Sequence, residues 1–141
     1  LSNMAPQHPK LNRKKWRELE EAVRNLDAKK DRSGKRKNLE TYVISGPIFD
    51  FTKGTKFIGE RDGNGIEIPV PSHFFKCILT VDRNNKIHMW AFEMPNKELD
   101  GDLSEYLQPT SFIEQRAGIV FWDNLLGDEV EKKKAKVGRM W

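Results

Sequence analysis

The chain has 141 residues, 37% of them hydrophobic and 33% charged, with a formal net charge of +4. That length suits one domain with a real core and is short for two, and no apolar run approaches the roughly eighteen residues of a membrane-spanning helix. The lone Cys77 excludes an internal disulfide, and inside the run F-F-K-C-I-L-T-V it reads as a buried core thiol.

The charge is unevenly spread. Between Lys10 and Lys37 there are twelve Lys/Arg against five Asp/Glu, whereas the rest of the chain carries thirteen against sixteen. A basic front on a mildly acidic body is the footprint of a polyanion binder. The plain alternative is a solvated helix face laced with i,i+4 pairs such as Lys14–Glu18 and Arg17–Glu21.

In chain order, a turn from Pro6 to Pro9 leads into Leu11-Asn12. From there Trp16, Leu19, Val23 and Leu26 recur at spacings of three and four, which predicts one apolar face of a helix. Asn12 is placed as its N-cap, because the prolines before it disfavour an earlier start, and the helix is expected to end near Lys29-Lys30. On it Asn12, Trp16, Glu20 and Arg24 form a slowly drifting i+4 row, bringing an amide oxygen, a carboxylate and a guanidinium to one edge. Such an edge suits a hydrated cation and a phosphate.

The stretch Asp31-Arg32-Ser33-Gly34-Lys35-Arg36-Lys37 reads as an exposed basic loop. Thr41 to Ser45 is β-branched and aromatic and predicts a buried strand stopped by Gly46-Pro47. Phe51 to Ile66 is loop, with at most a short strand around Lys56-Phe57-Ile58. Glu67 to Pro71 is extended and edge-like. His73 to Val81 predicts a strand, Asp82 to Lys86 a turn, and Ile87 to Met94 the returning strand of a hairpin, stopped by Pro95-Asn96.

From Lys97 to Gln108 the chain is acidic and loop-like. Ser111-x-x-Glu114 predicts a capping box opening a short helix that Gly118 ends, and Ile119 to Trp122 is apolar enough to dock on the body. The remainder is either a frayed helix or a disordered tail. A helix, several strands and a further helix predict an α+β domain with a largely antiparallel sheet.

The ordered set S-N-x-x-P-Q…L-N-x-x-x-W-x-x-L-E-x-x-x-R over residues 2–24, then V-I-S-G-P-I-F (43–49), V-P-S-H-F-F-K (70–76), M-P-N (94–96), and Ile113-Glu114 ahead of G-I-V-F (118–121), resembles the DNA/RNA non-specific endonucleases with the ββα-metal, or His-Me finger, core. That family includes the Serratia nuclease and mitochondrial endonuclease G. The resemblance runs from Leu1 to about Asn124. It implies a sheet flanked by helices, with residues 1–125 forming the C-terminal part of the endonuclease domain; 126–141 is left as a basic tail, flexible if the second of the two readings above holds. One motif departs: the family's D-R-G-H, whose His is the general base, belongs ahead of this stretch and does not occur in the 141 residues. Asp31-Arg32-Ser33-Gly34 lies on the wrong side of the helix and has no His.

Cutting a phosphodiester requires a base to activate water, a cation to stabilise charge on the leaving oxygen, and donors for the phosphate. By resemblance Asn12 is the metal ligand, for Mg²⁺ or another divalent cation such as Mn²⁺. A neutral amide oxygen suits Mg²⁺, which keeps most of its waters. Glu20 matches the family residue that acts on the metal's water shell, Arg24 a phosphate contact, and Asn3 an Asn that holds geometry around the catalytic His. The bland alternatives are an N-cap, a surface carboxylate and a surface ion pair. Arg13, Lys14, Arg24, Lys35, Arg36 and Lys37 are the expected nucleic-acid contacts.

Of the histidines, His8 stands four residues before Asn12 but the resemblance puts other residue types there, and His73 and His88 read as structural. No pair of His or Cys has zinc spacing, and no Gly-rich phosphate loop precedes a helix. The leading expectation is a Mg²⁺-dependent, sequence-tolerant nuclease acting on DNA and RNA. This chain would carry its metal-binding helix without the base, and an upstream segment would supply D-R-G-H. The alternative is a non-catalytic nucleic-acid-binding module or partner subunit. A homodimer is compatible with the sequence, and compartment is left open, family members being secreted or mitochondrial.

Overall fold

A computed structural model of the chain describes residues 6–50, 56–58 and 68–141. The helical segment at its front runs without a break through α1 (Pro9–Leu11), one π-helical turn (Asn12–Trp16) and α2 (Arg17–Asp27). It therefore begins earlier than the prolines suggest. Pro9 occupies the first helical position, where its missing N–H and fixed φ cost nothing. His8 is the cap, its Nδ1 accepting from the Lys10 N–H at 3.2 Å. Asn12 already has helical dihedrals and its N–H bonds to the His8 carbonyl at 3.1 Å, so the N-cap assignment for Asn12 is overturned.

Four strands form an antiparallel sheet in the order β1 (Asn38–Ile48), β4 (His73–Asp82), β5 (Ile87–Pro95), β6 (Leu107–Gln108), and β2 (Lys56–Ile58) pairs with β3 (Ile68–Val70) apart from it. The expected hairpin is the β4–β5 pair, closed by a turn in which Asn85 takes a positive φ. β1 differs from expectation: it is an edge strand that leaves Tyr42 and Val43 exposed, and it continues through Gly46 and Pro47, opposite Phe75 and Phe74. An edge strand tolerates proline because one row of its N–H groups faces away from the ladder. Gly46 is needed there for close approach, since a Cβ would stand 2.9 Å from the Phe75 ring.

The central strand β4 alternates between two cores. Phe74 and Ile78, with Phe92 and Met94 of β5, pack against Leu11, Trp16, Leu19, Val23 and Leu26 of the helical segment. On the opposite face Phe75 and Cys77 pack with Ile48, Ala91, Ile113 and Phe121, and Leu79 and Met89 with Val130. Each fully buried Phe, Leu or Ile contributes roughly 1.5–3 kcal/mol, so the helical segment is held mainly by its apolar stripe. Cys77 is buried as expected, and burial pushes its thiol well above the usual range.

The rear face is closed by α3 (Thr110–Ala117) and α4 (Asp128–Lys134). Gly118 ends α3 in the left-handed conformation at φ 69°, as the sequence indicates. The capping box does not form: Pro109 is the cap and no side chain bonds there. Glu114 instead accepts from the Phe121 N–H at 2.9 Å and the Lys134 ammonium at 3.1 Å. A nearly buried lysine outcompetes a local cap for that carboxylate. Of the two readings of the C-terminal segment the helical one fits, and its last residue, Trp141, donates to the Ala22 carbonyl of α2 at 3.0 Å.

Candidate metal- and phosphate-binding edge of the first helix

The helical segment lies across the sheet with Leu11, Trp16, Leu19, Val23 and Leu26 turned inward. Asn12 and Arg24 are exposed at the two ends of the same edge, and Glu20 is half-buried between them. Among the described residues the side chains of Asn12, Glu20 and Arg24 make no hydrogen bond or ion pair, although most of their charged neighbours do. Lys10 and Lys14 both bond to Glu98, at 3.0 and 3.1 Å, and these hydrogen bonds hold its carboxyl below the usual range. Lys15 is buried and reaches Glu18 at 3.0 Å and the Gly101 carbonyl at 2.5 Å.

The start of this edge is fixed from the far end of the sheet. Asn96, just past β5, accepts from the His8 N–H at 2.7 Å and donates to the carbonyls of Pro6 and Pro71, both at 3.0 Å. Its own N–H bonds to the Ser72 carbonyl at 2.9 Å. One amide thus ties the lead-in of the helix to the β3–β4 connection. The M-P-N motif singled out in the sequence carries this clamp, but no spacing rule announces it. His8, engaged in the clamp and the cap, has a structural role.

A second residue escaped the sequence reading. Lys76 sits in the middle of β4 on the helix-facing side, between Phe74 and Ile78, and is 7% exposed. Its ammonium lies 4.8 Å from the centroid of the Trp16 ring, which meets Phe74 edge-on at 6.0 Å. Burial pushes the Lys76 ammonium below the usual lysine range, and the charge of Glu20 pulls it partly back. A lysine inside an otherwise apolar strand was the available signal.

The remaining expected contacts divide. Arg13 is exposed beside Asn12, and Lys14 is paired with Glu98. Lys35 and Lys37 are exposed, but Arg36 turns back onto the helix end, its guanidinium 2.6 Å from the Asp27 carboxylate and its Nε 2.9 Å from the Asp27 carbonyl. The loop is more ordered than its composition suggests. Asp31 accepts from the N–H groups of Ser33 and Lys35, from the Ser33 hydroxyl, and from Arg83 at 2.6 Å. At 1.5 Å per helical residue the loop lies roughly 20 Å from Asn12, so the structure does not bring the two sets together. Asn3 lies outside the described residues.

As a donor set this edge fits a hydrated hard cation. Asn12 offers one unengaged oxygen to solvent, Glu20 one carboxylate two turns along, and no cluster of three or more His, Cys, Asp or Glu exists among the described residues. That pattern matches a cation that keeps its waters and excludes a closed zinc cage within the described residues.

The sequence profile of the DNA/RNA non-specific endonucleases matches residues 1–128. The chain belongs to that family. Among non-specific endonuclease relatives, human mitochondrial endonuclease G is 32% identical over 131 residues, covering 89% of this chain and 41% of the relative. A nuclease of Syncephalastrum racemosum is 34% identical over 140 residues, covering 89% and 40%. The nuclease of Serratia marcescens is 27% identical over 139 residues, covering 98% and 48%. In three dimensions the chain is similar to a chain in the crystal structure of the EndoG/EndoGI complex, with a TM-score of 0.65 and 28% identity over 86% of this chain and 49% of that one. The expected α+β fold with an antiparallel sheet is therefore borne out, and the chain spans about two fifths to half the length of these relatives. No helix among the described residues is long and apolar enough to cross a membrane.

Proposed function

We propose that this chain carries the metal- and phosphate-binding part of a sequence-tolerant nuclease that hydrolyses phosphodiester bonds in DNA and RNA. The observation that carries the proposal is the unengaged row Asn12, Glu20, Arg24 on a helix whose neighbouring lysines are mostly paired. Groups held rigidly by the scaffold yet left without internal partners are what a site offers to a ligand.

In this reading the Asn12 oxygen holds Mg²⁺ or Mn²⁺, which when bound supplies positive charge at the departing oxygen. Glu20 accepts hydrogen bonds from water at the site and orients it. Arg24 binds a phosphate oxygen as a forked donor, with Arg13 beside Asn12 adding to the field that draws the backbone in. The general base belongs to a D-R-G-H segment outside the 141 residues, and by resemblance Asn3 helps hold the geometry around it. Relatives named nuclease and endonuclease G support this reading.

Plasmid cleavage with Mg²⁺ tests the division of labour. The 141-residue chain alone is expected to be a very poor nuclease, because a general base typically contributes ~10²–10⁴-fold, and joining a D-R-G-H segment upstream should restore cutting. Robust cleavage by the chain alone would show that a group within it serves as base. Binding without cleavage in both forms would favour a non-catalytic nucleic-acid-binding module.

A further inference from the structure

Lys76 is the one buried charge of the helix-facing core that lacks a hydrogen-bond partner among the described residues. Its cross-strand neighbours on that face are Ser45 on β1 and Phe92 on β5, and the helix presents Trp16. None of these carries a charge. An ammonium in such a place sacrifices hydration, and lysine is rarely buried without a partner. The Trp16 ring face recovers part of that loss. The charged group that acts on Lys76 is Glu20, one turn beyond Trp16 on the edge that also holds Asn12. The two do not form a direct ion pair, so the Lys76 field acts on Glu20 while leaving its oxygens open.

A carboxylate that must face a hydrated cation and a phosphate has little to hold it in place if it bonds to nothing in the protein. A buried cation on β4, paired on both sides within the sheet, does so without occupying its lone pairs.

We propose that Lys76 is a positioning residue of this site: its ammonium, seated on the Trp16 ring, is the buried counter-charge that holds the Glu20 carboxylate on the edge it shares with Asn12. Lys76 acts through Glu20 and does not touch substrate. The inference rests on the nuclease reading for its catalytic consequence, while the charge coupling rests on the seat of Lys76 on the Trp16 ring and the place of Glu20 one helical turn beyond that ring.

The experiment pairs Lys76→Met, which keeps the stem and removes the charge, with Lys76→Arg, which keeps the charge. In the 141-residue chain labelled with ¹³C at glutamate carboxyl groups, the Glu20 resonance should move in Lys76→Met and return toward its original position in Lys76→Arg. A Glu20 resonance unchanged in Lys76→Met would overturn the proposal, whatever the activity. In the chain joined to its D-R-G-H segment, Lys76→Met should lower kcat about 10–100-fold, the usual cost of losing a group that orients a site residue, with KM little changed and Lys76→Arg partly restoring the rate.

The double variant Glu20→Gln/Lys76→Met should be no slower than Glu20→Gln alone, because the second change removes a group that acts through the first. Rate losses that multiply would overturn the proposal. Lys76→Met should melt no lower than the parent, since it replaces a buried charge by an apolar group of similar length. A lower melting temperature with unchanged kcat would reduce Lys76 to a structural residue. Absence of cleavage in the parent would count against the nuclease reading, and the resonance measurement would still decide the coupling.

Discussion

Of the three buried lysines, Lys76 and Lys134 lie on opposite sides of the sheet, and they are embedded differently. Lys134 on the rear bonds to the Glu114 carboxylate at 3.1 Å and the Phe121 carbonyl at 2.7 Å, so α4, α3 and the chain between them meet at one satisfied ammonium. Lys76 on the front has, among the described residues, the Trp16 ring at 4.8 Å and the field of Glu20. A satisfied buried charge, with its desolvation offset by bonds that fix three segments, is what architecture requires. An ammonium with no hydrogen-bond partner among the described residues, beside a row of side chains that are themselves unengaged, braces no segment in that way. The two faces of one sheet thus divide into a side that closes on itself and a side whose edge groups are left unengaged.

The sharpest way to break this contrast is Asn12→Ala in the chain joined to a D-R-G-H segment. Cleavage should fall at least ~10²-fold, since charge stabilisation by a metal supplies several kcal/mol at the transition state. Nucleic acid should still bind and the melting temperature should barely move, because the Asn12 side chain makes no hydrogen bond among the described residues and His8 caps the helix. Parental cleavage rates in this variant would remove the metal assignment.

Lys134→Met should do the reverse. Loss of one member of a buried pair leaves Glu114 and the Phe121 carbonyl unanswered and should cost about 3 kcal/mol of unfolding free energy, measured by urea titration, while cleavage per folded molecule stays at the parental level. Loss of activity without loss of stability would mean that the rear face communicates with the edge.

The smallest effect concerns the basic loop. Replacing Lys35 and Lys37 with Gln should weaken binding to unrelated duplexes about equally and flatten the salt dependence by roughly 0.9 log unit per log unit of salt for each phosphate no longer neutralised. Arg36 is left in place because its guanidinium braces Asp27 at the end of α2, so its removal would confuse binding with folding. An unchanged affinity and salt slope would make this loop a solvated surface, and the front side would then act through the helix edge alone.

Much of this was legible beforehand for a physical reason. The i, i+3, i+4 spacing of Trp16, Leu19, Val23 and Leu26 and the alternation along β4 are local patterns, and each reports which side faces a core. What the sequence did not disclose depends on distant partners. Pro9 looked like a barrier when it is the first helical residue. Glu114 looked like a cap box when Lys134, twenty residues away, claims it. Gly46-Pro47 looked like a strand end when β1 is an edge that tolerates both. The roles of Lys76 and Asn96 could not be read from spacing, because each is defined by what lies against it: an indole ring in one case, and the carbonyls of Pro6 and Pro71 in the other.

The π-helical turn at Asn12–Trp16 makes the segment sensitive to insertion and deletion in a way that substitution would not reveal. Successive residues of a regular helix are rotated by about 100°, and one wide turn resets the phase between the residues before it and those after it. Downstream, Leu19, Val23 and Leu26 hold α2 against the sheet, and upstream, Asn96 holds His8. Removing one residue from the turn would force the wide loop of backbone into an ordinary one. The helix would then have to present Asn12 about a quarter-turn away from Glu20 or break the Asn96 clamp. Lineages and libraries alike should find that the number of residues between Leu11 and Arg17 stays at five.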